Sequence, residues 1–417
     1  MTATLDTATS ATSAQQSQRP SLNELRERFR PVFDAIAHGA LERELNRELP
    51  YEQVQLLVDS GFTALQAPVA YGGADIAVAD LYELLIELAV ADSNLPQILH
   101  AHFAFTEIHR FSPQPISDWW LRQVGAGKVI SNGMVALGGP GEVEQTEDGE
   151  VYSGTKTYST GALFADEIFI VVGTKESGMP LMYVVPAEGA GVNRVDDWDG
   201  IGQRLTASGT TVYERVALDP EKVLDIESPA GLLVAPAVLF IHAAAQAGIA
   251  EAAVRDAAWF VRQRKRTYGH AAAEYPKDDP QVQEVVGRAA SHAYAAKQLV
   301  RQGAADLQGY LARAGRLSDT TSPEYQQLFT EAVTDVNSAA AAVSEHALAA
   351  TNLLFEVGGA SVLQRERGFD RHWRNARVLA SHNPAHYKLR VVGEYLINGT
   401  TPSPDSFVRP VKPEETK

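Results

Sequence analysis

The feature that most restricts the fold of this chain is a double change of hydrophobic period along it. Over residues 21–127 the apolar positions keep helical spacing, as in ADLYELLIELAV, where Leu81, Leu84, Leu85 and Leu88 stand at i, i+3, i+4 and i+7. Between residues 128 and 218 the pattern becomes short runs rich in β-branched and aromatic residues: VYSGTKTYS, DEIFIVVG, LMYVVP and TTVYERVAL, separated by Gly, Pro and Asp. Such runs predict several short strands and a small all-β unit. From about Leu232 helical spacing returns, and Tyr325, Leu328, Phe329, Ala332, Val333, Val336, Ala340, Val343, Ala347, Ala350 and Leu354 hold one stripe. A helix of that length needs neighbours, so a four-helix bundle is predicted for the C-terminal part.

The expected architecture is therefore α+β. It comprises a leader over residues 1–20, a helical domain over 21–127, a small β-barrel or β-sandwich over 128–228, a helical bundle over 229–399 and a tail over 400–417. Strands and helices do not alternate as a doubly wound sheet requires, and the glycine clusters GAGK (125–128) and GGPG (138–141) fit neither a dinucleotide fingerprint nor a P-loop. The N-terminal Ser/Thr/Ala/Gln stretch has no cationic start and no apolar block, which argues against a secretory signal and for a cytoplasmic protein. The uncharged window 228–250 is long enough to cross a bilayer, but Pro229, Pro236, His242 and Gln246 make it read as a buried helix.

Composition narrows the chemistry. The 417 residues include no Cys, which removes Cys-ligated zinc, iron–sulfur clusters and cysteine nucleophiles. Lys and Arg number 36 against 52 Asp and Glu, a net charge of −16 with no basic stripe, which argues against nucleic acid and anionic membranes and for a small-molecule partner. Among the 11 His, His100 and His102 stand at i, i+2, and His382 and His386 at i, i+4. No Glu lies inside the second pair to act as a base, and no metal site is expected. No G-x-S-x-G elbow follows a strand, so a serine hydrolase is not expected either. Arg371, Arg374 and Arg377 fall along one side of a helix beside Trp373 and Leu379, a mixture suited to a subunit interface or an anion site.

Several segments together resemble the acyl-CoA dehydrogenase family over nearly the whole chain. They are GTKTYSTGA (154–162), TASGT (206–210) after IGQR (201–204), RQRKRTYG (262–269) and VGGA (357–360) followed by FDRHWRNARVL (369–379). Within that fold, DDWDGIGQR (196–204), GFDRHWRNAR (368–377) and SHNPAHYK (381–388) are similar to the reduced-flavin monooxygenase branch, which includes dibenzothiophene monooxygenases and the sulfur-acquisition oxidoreductases linked to dimethyl sulfone. A dehydrogenase needs a carboxylate to take the α-proton, whereas ASHNP (380–384) places His382 where the family's Glu would stand, and residues 232–250 contain no acid.

The resemblance implies a two-component monooxygenase. It would receive FMNH2 from a separate NAD(P)H:flavin reductase, form a flavin C4a-hydroperoxide with O2 in a water-excluded site, and oxygenate a small organosulfur or related heteroaromatic compound. FAD is the less favoured flavin. The alternatives are an FAD-dependent acyl-CoA dehydrogenase and a non-catalytic protein of the same fold. The site residues implied are Asn132, Lys156, Tyr158 and Thr160 along the ring, Trp198 over it and Arg266 at the phosphate. Ala360 and Ser361 would come from a neighbouring subunit of a homotetramer. His382 is the first candidate for the catalytic group, with His102 and Thr160 beside it; a core histidine is the alternative for His102, and plain strand formers the alternative for Tyr158 and Thr160.

Overall fold

The computed structural model describes residues 19–112, 115–136, 139–176 and 179–403, so most of the leader and of the tail falls outside the described residues. Seven helices come first: α1 (Leu22–Ala37), α2 (Ala40–Asn46), α3 (Tyr51–Asp59), α4 (Val78–Ala91), α5 (Asn94–Ile98), α6 (His100–Phe111) and α7 (Pro115–Gly125). Eight strands follow: β1 (Ile130–Gly133), β2 (Glu142–Thr146), β3 (Gly149–Lys156), β4 (Glu167–Thr174), β5 (Pro180–Pro186), β6 (Val192–Arg194), β7 (Thr211–Ala217) and β8 (Val223–Leu224). The chain then returns to helix: α8 (Val234–Gln263), α9 (Pro280–Ala314), α10 (Pro323–Leu353), α11 (Asp370–His382) and α12 (Ala385–Asn398).

Local chemistry sets several of these boundaries. Ser21 and Glu24 cap α1 reciprocally, and Asp279 and Ser322 cap α9 and α10, each followed by a proline in the first turn. Pro384 does not enter a helix that would carry both His382 and His386. It stands just before α12 and separates it from α11, so the i, i+4 spacing of those histidines is broken at the junction. The bundle's fourth element is thus two short helices rather than one long one.

The β unit is two four-stranded sheets, ordered β1-β4-β5-β8 and β2-β3-β7-β6. Only β1 and β4 pair in parallel, with Asn132 opposite Phe169; the other described pairs are antiparallel. Ile168, Phe169 and Ile170 of β4 are fully buried, and the Phe169 ring lies 4.1 Å from that of Phe105 on α6. One core cluster consequently runs from Phe29 and Phe62 through Phe105 and Phe169 to Phe240 and Leu307, crossing all three parts of the chain. The apolar window expected to be a buried helix is α8, most of whose residues are buried.

Five histidines, His100, His102, His109, His242 and His372, are buried in this framework. His102 is fully buried; Thr63 O lies 2.8 Å from its Nε2, and the Ile130 N–H donates to its Nδ1 at 3.3 Å. A carbonyl can only accept, so Nε2 carries the proton and the neutral ring ties α6 to the start of β1. Both ring nitrogens are engaged, which makes His102 a structural pin. Burial lowers the pKa of His100, His102 and His372 to about 4 and that of His109 to about 3.

A His pKa held below its unfolded value of ~6.5 stabilises the fold fully above that pH, and the stability is lost as pH falls toward 4. Buried Glu107, pushed up to about 8, contributes in the opposite direction, but one group faces four. The denaturant midpoint is therefore expected to fall progressively between pH 6.5 and 4.5 in titrations monitored by circular dichroism; a flat profile would refute the neutral assignment. His102→Phe, which removes both bonds and strands the Thr63 carbonyl and Ile130 amide, is expected to lower stability by about 1–3 kcal/mol in the same assay at pH 7.5.

Candidate active site

A polar chain links the β unit to the helices on both sides of it. The Ser131 hydroxyl donates to Thr160 O (2.6 Å), Thr160 Oγ1 bonds Ser208 Oγ (2.7 Å), and Ser208 Oγ bonds Thr206 Oγ1 (2.8 Å). Thr206 in turn donates to Gln203 O, and the Gln203 N–H donates to Asn375 Oδ1 on α11 at 2.6 Å. The Asn375 amide then donates to Ser93 Oγ at 3.0 Å, while Asn94 Oδ1 accepts from the Leu205 N–H. Three residues here, Tyr158, Gln203 and Ala207, hold left-handed backbone with φ of 55°, 48° and 48°. Strain of that kind in non-glycine residues persists only where surrounding bonds over-determine the loop, and it concentrates at functional sites.

This network redefines two sequence expectations. Thr160 was expected to present its hydroxyl and amide to a ring; instead the hydroxyl bonds Ser208 and the N–H donates to Tyr158 O at 2.8 Å. That bond ties the Thr160 loop to Ser208. Lys156 was expected to line the same edge, but it is buried in the β unit. Its Nζ donates to Pro140 O (3.3 Å) and sits 5.4 Å from the centre of the Tyr152 ring, and desolvation lowers its pKa to about 8.

Asn132, Tyr158 and Trp198 are placed where a flat polar group could use them. The Asn132 side chain is buried at the parallel β1–β4 pair with its Nδ2 unpartnered, and Thr157 Oγ1 and Ser159 Oγ are also buried without partners. Tyr158 is exposed, and its ring meets Trp198 edge to face at 6.2 Å. Trp198 donates from Nε1 to Gln203 O at 2.8 Å and folds over Gly200, where a Cβ would come within 2.1 Å of the indole.

The largest cluster of nitrogen side chains is one that spacing alone did not assemble. His100 at the start of α6, His242 in α8 and His382 at the end of α11 converge, with ring centroids 5.1 Å (His100–His242), 5.9 Å (His100–His382) and 4.3 Å (His242–His382) apart. His100 Nδ1 lies 2.7 Å from Gln97 O, so Nδ1 holds the proton and Nε2 presents a lone pair. His242 is buried with neither nitrogen bonded. His382 is exposed in this chain although protein surrounds most of its ring. Desolvation first, then the neighbouring His and Lys388, hold His242 and His382 below the usual histidine pKa. Among the described residues, no carboxylate shifts the titration of any of the three. His382 thus meets His100, not His102, and His242 is a member whose one sequence signal was a lone polar ring in an apolar window.

The remaining candidates lie elsewhere. Arg266 is exposed just past the end of α8, with no hydrogen bond or ion pair among the described residues. Ala360 and Ser361, also exposed, follow Gly359, whose missing Cβ would sit 1.7 Å from Tyr268 Oη; Arg264 joins the two segments by donating to Val357 O at 2.7 Å. Between His242 and Gln263 the α8 axis advances about 30 Å at ~1.5 Å per residue. Within one chain, Arg266 and the histidine cluster therefore stand at opposite ends of a long helix. The arginines of α11 are mostly committed internally: Arg371 to Asp256 at 2.9 Å and Arg374 to Glu44 at 3.0 Å and Asp370 at 2.8 Å, leaving Arg377 the exposed member of the row.

Comparison with known proteins bears on this geometry. Residues 240–387 match the acyl-CoA dehydrogenase C-terminal domain family. The chain is 28% identical over 397 residues, 93% of its length and 98% of the relative's, to a protein of Pseudomonas putida named probable FMNH2-dependent monooxygenase SfnC. It is 29% identical over 370 residues, covering 83% of this chain and 86% of the other, to dibenzothiophene monooxygenase of Rhodococcus erythropolis. Among solved structures, methanesulfinate monooxygenase MsuC of Pseudomonas fluorescens superposes with a TM-score of 0.81 at 26% identity, covering 91% of this chain and 98% of that one. The three-part fold is thus acyl-CoA dehydrogenase-like, residues 240–387 match that family's C-terminal domain, and the relatives named here are monooxygenases, one of them named as FMNH2-dependent.

Proposed function

We propose that this chain is the oxygenase component of a two-component flavin system. It takes FMNH2 from a separate NAD(P)H:flavin reductase and transfers one atom of O2 to a small organosulfur compound. The observation that carries the reading is the meeting of His100, His242 and His382 with no described carboxylate shifting their titration. An acyl-CoA dehydrogenase requires a carboxylate there to accept the α-proton, and imidazoles held neutral at pH 7 suit proton donation and acceptance around an oxygen-transfer site instead. The names of the relatives, which specify FMNH2, dibenzothiophene and methanesulfinate, support the same class.

The residues present fit a flavin. The unpartnered Asn132 amide and the Thr157 and Ser159 hydroxyls offer hydrogen bonds along a ring edge, and Tyr158 and Trp198 form an aromatic wall over it. Bound FMNH2 supplies the two electrons that activate O2. The protein's own tasks are to bind, orient and exclude water. His100 can accept a proton at Nε2 because Nδ1–H is fixed on Gln97 O, and His382 donates at the exposed edge of the cluster. Asn375 holds the 201–208 turn on α11 and so fixes the distance between the ring wall and His382. The long α8 separation implies that Arg266, Ala360 and Ser361 serve the site of a neighbouring subunit, consistent with a homotetramer built through the bundle.

His382→Ala is expected to bind flavin normally while product formation falls by ~10²–10³, with hydrogen peroxide released in place of product. Peroxide per flavin oxidised, measured with a reductase and a panel of sulfides, sulfones and sulfinates, checks this; full coupling in the variant would sink the assignment. Arg266→Ala is expected to weaken FMN binding with coupling retained at saturating flavin. At a flavin concentration too low to saturate Arg266→Ala, mixed oligomers of Arg266→Ala and His382→Ala, refolded or co-expressed together, are expected to be more active than either variant alone, because some sites then draw both intact residues from different chains. No recovery would refute the assignment of Arg266 to the site of a neighbouring subunit.

A further inference from the structure

Three imidazoles carried by three different helices bring ring nitrogens close together. His100 opens α6, His242 lies in α8 and His382 closes α11, and one ring nitrogen from each stands within 4.8 Å of the other two. His100 and His242 are buried, and neither nitrogen of His242 has a hydrogen-bond partner among the described residues. An imidazole shut away from water without a partner is costly, so the site favours a group that takes up its lone pair. His100 is already set in the manner of a metal ligand. Its Nδ1–H donates to Gln97 O at 2.7 Å, which fixes the ring and leaves the Nε2 lone pair unprotonated. His382 is the exposed member, with one weak contact to Nδ1 from the Asn383 amide at 3.5 Å, and it leaves an approach from solvent.

We infer that His100, His242 and His382 bind one divalent transition-metal ion such as zinc, and that the bound ion switches the oxygenase off. Three neutral imidazoles are a ligand set suited to zinc, copper or nickel, with a fourth position left to water. At a Zn–N length of about 2.0–2.1 Å, tetrahedral ligand atoms stand roughly 3.4 Å apart, so a span of 4.8 Å has to contract by roughly 1.4 Å. Rotation of the exposed His382 side chain covers that distance. The Lys388 charge, which reaches His242 and His382, opposes any cation, and no carboxylate joins the set. Hard ions that need oxygen ligands, such as Mg2+ and Ca2+, are therefore refused, while ions that prefer imidazole nitrogen are not. The switching half of the inference rests on the oxygenase reading. A metal takes the lone pair at which His100 accepts a proton and the ring through which His382 donates, so proton transfer stops while the ion stays. Binding itself requires no flavin.

The test is equilibrium dialysis of the purified full-length protein, without added flavin, against ZnCl2, followed by metal analysis, with CoCl2 as a spectroscopic probe. Wild type is expected to take up one zinc per chain, to develop the visible absorption of four-coordinate cobalt, and to take up no MgCl2. His242→Phe and His100→Phe should each weaken zinc binding at least tenfold. His346→Ala should leave it within about twofold, although His346 and His292 form another close imidazole pair, Nδ1 to Nδ1 at 2.9 Å. Circular dichroism melting separates loss of binding from loss of fold, and two independent phenylalanine variants keep the comparison informative if one is unstable. No stoichiometric uptake by wild type, unchanged uptake in a folded phenylalanine variant, or uptake lost in His346→Ala would each overturn the metal site. In an assay supplied with chemically reduced FMN, one equivalent of zinc is expected to cut product formation at least tenfold, and EDTA to restore it; unaffected product formation would overturn the switch. The two readings fail separately. Cluster-dependent zinc uptake by a protein that oxygenates no sulfur compound in metal-free buffer refutes the oxygenase and leaves the metal site standing, whereas oxygenation without that uptake refutes this inference alone.

Discussion

Helix α8 is the element around which everything else is arranged, because it has almost no polar face. Ala237, Phe240, Ile241, Ala244, Ala245, Ala247, Ile249 and Ala250 point in all directions around its first half, and all are buried. A helix that is apolar all round must be enclosed by protein. Here α4, α6, α9, α10 and α11 all pack against it, so the N-terminal helices and the bundle share one axle. The close approach depends on small residues: a Cβ on Gly248 would come within 2.4 Å of Ile86 O on α4. Two polar side chains interrupt this apolar surface, His242 and Gln246, both buried. An unpaired polar group at such a position costs about 1–3 kcal/mol, and His242 spends that stability at the place where His100 and His382 also converge.

The position of His382 depends on how α11 is held. Arg371 and His372 both engage Asp256 on α8; burial alone would raise its carboxyl, but the His372 hydrogen bond and the Arg371 charge hold it well below the usual carboxylate range. Arg374 reaches Glu44 on α2 and the Ile201 carbonyl, and Asn375 bridges Gln203 to Ser93. Missing side-chain space completes the clamp, since a Cβ on Gly202 would lie 2.3 Å from Arg374 O. One helix is thus fastened to the bundle, the N-terminal helices and the β unit. A histidine at its end can be aimed with little freedom, which proton transfer at a fixed distance requires.

Much of this was visible in the sequence for identifiable reasons. The helical, strand and helical order followed from hydrophobic period, and the buried character of α8 from an apolar window interrupted by prolines and a histidine. The family resemblance placed His382 opposite the missing carboxylate. What the structure adds has equally local causes. The pair His100 and His102 differ by two residues on one helix, roughly 200° apart, so one faces His242 and His382 and the other faces Thr63 and β1. Strand alternation likewise turned Lys156 into the β unit, and the Arg371 row found its acids on α8 and α2, far away in sequence.

The sequence by itself determined the element types, their order, the absence of thiol chemistry and the lack of an acid in the segments that match the dehydrogenase base positions. These are properties of composition and of short-range period, which a chain carries whatever its fold. Tertiary structure alone decided that His100, His242 and His382 converge, that His102 and Thr160 are engaged in internal hydrogen bonds, and that Arg266 lies a helix length from the histidines. Each of those outcomes depends on helix azimuth and on contacts across more than a hundred residues. Such distances are set only when the apolar surface of α8 is enclosed and the helices around it take their final rotations.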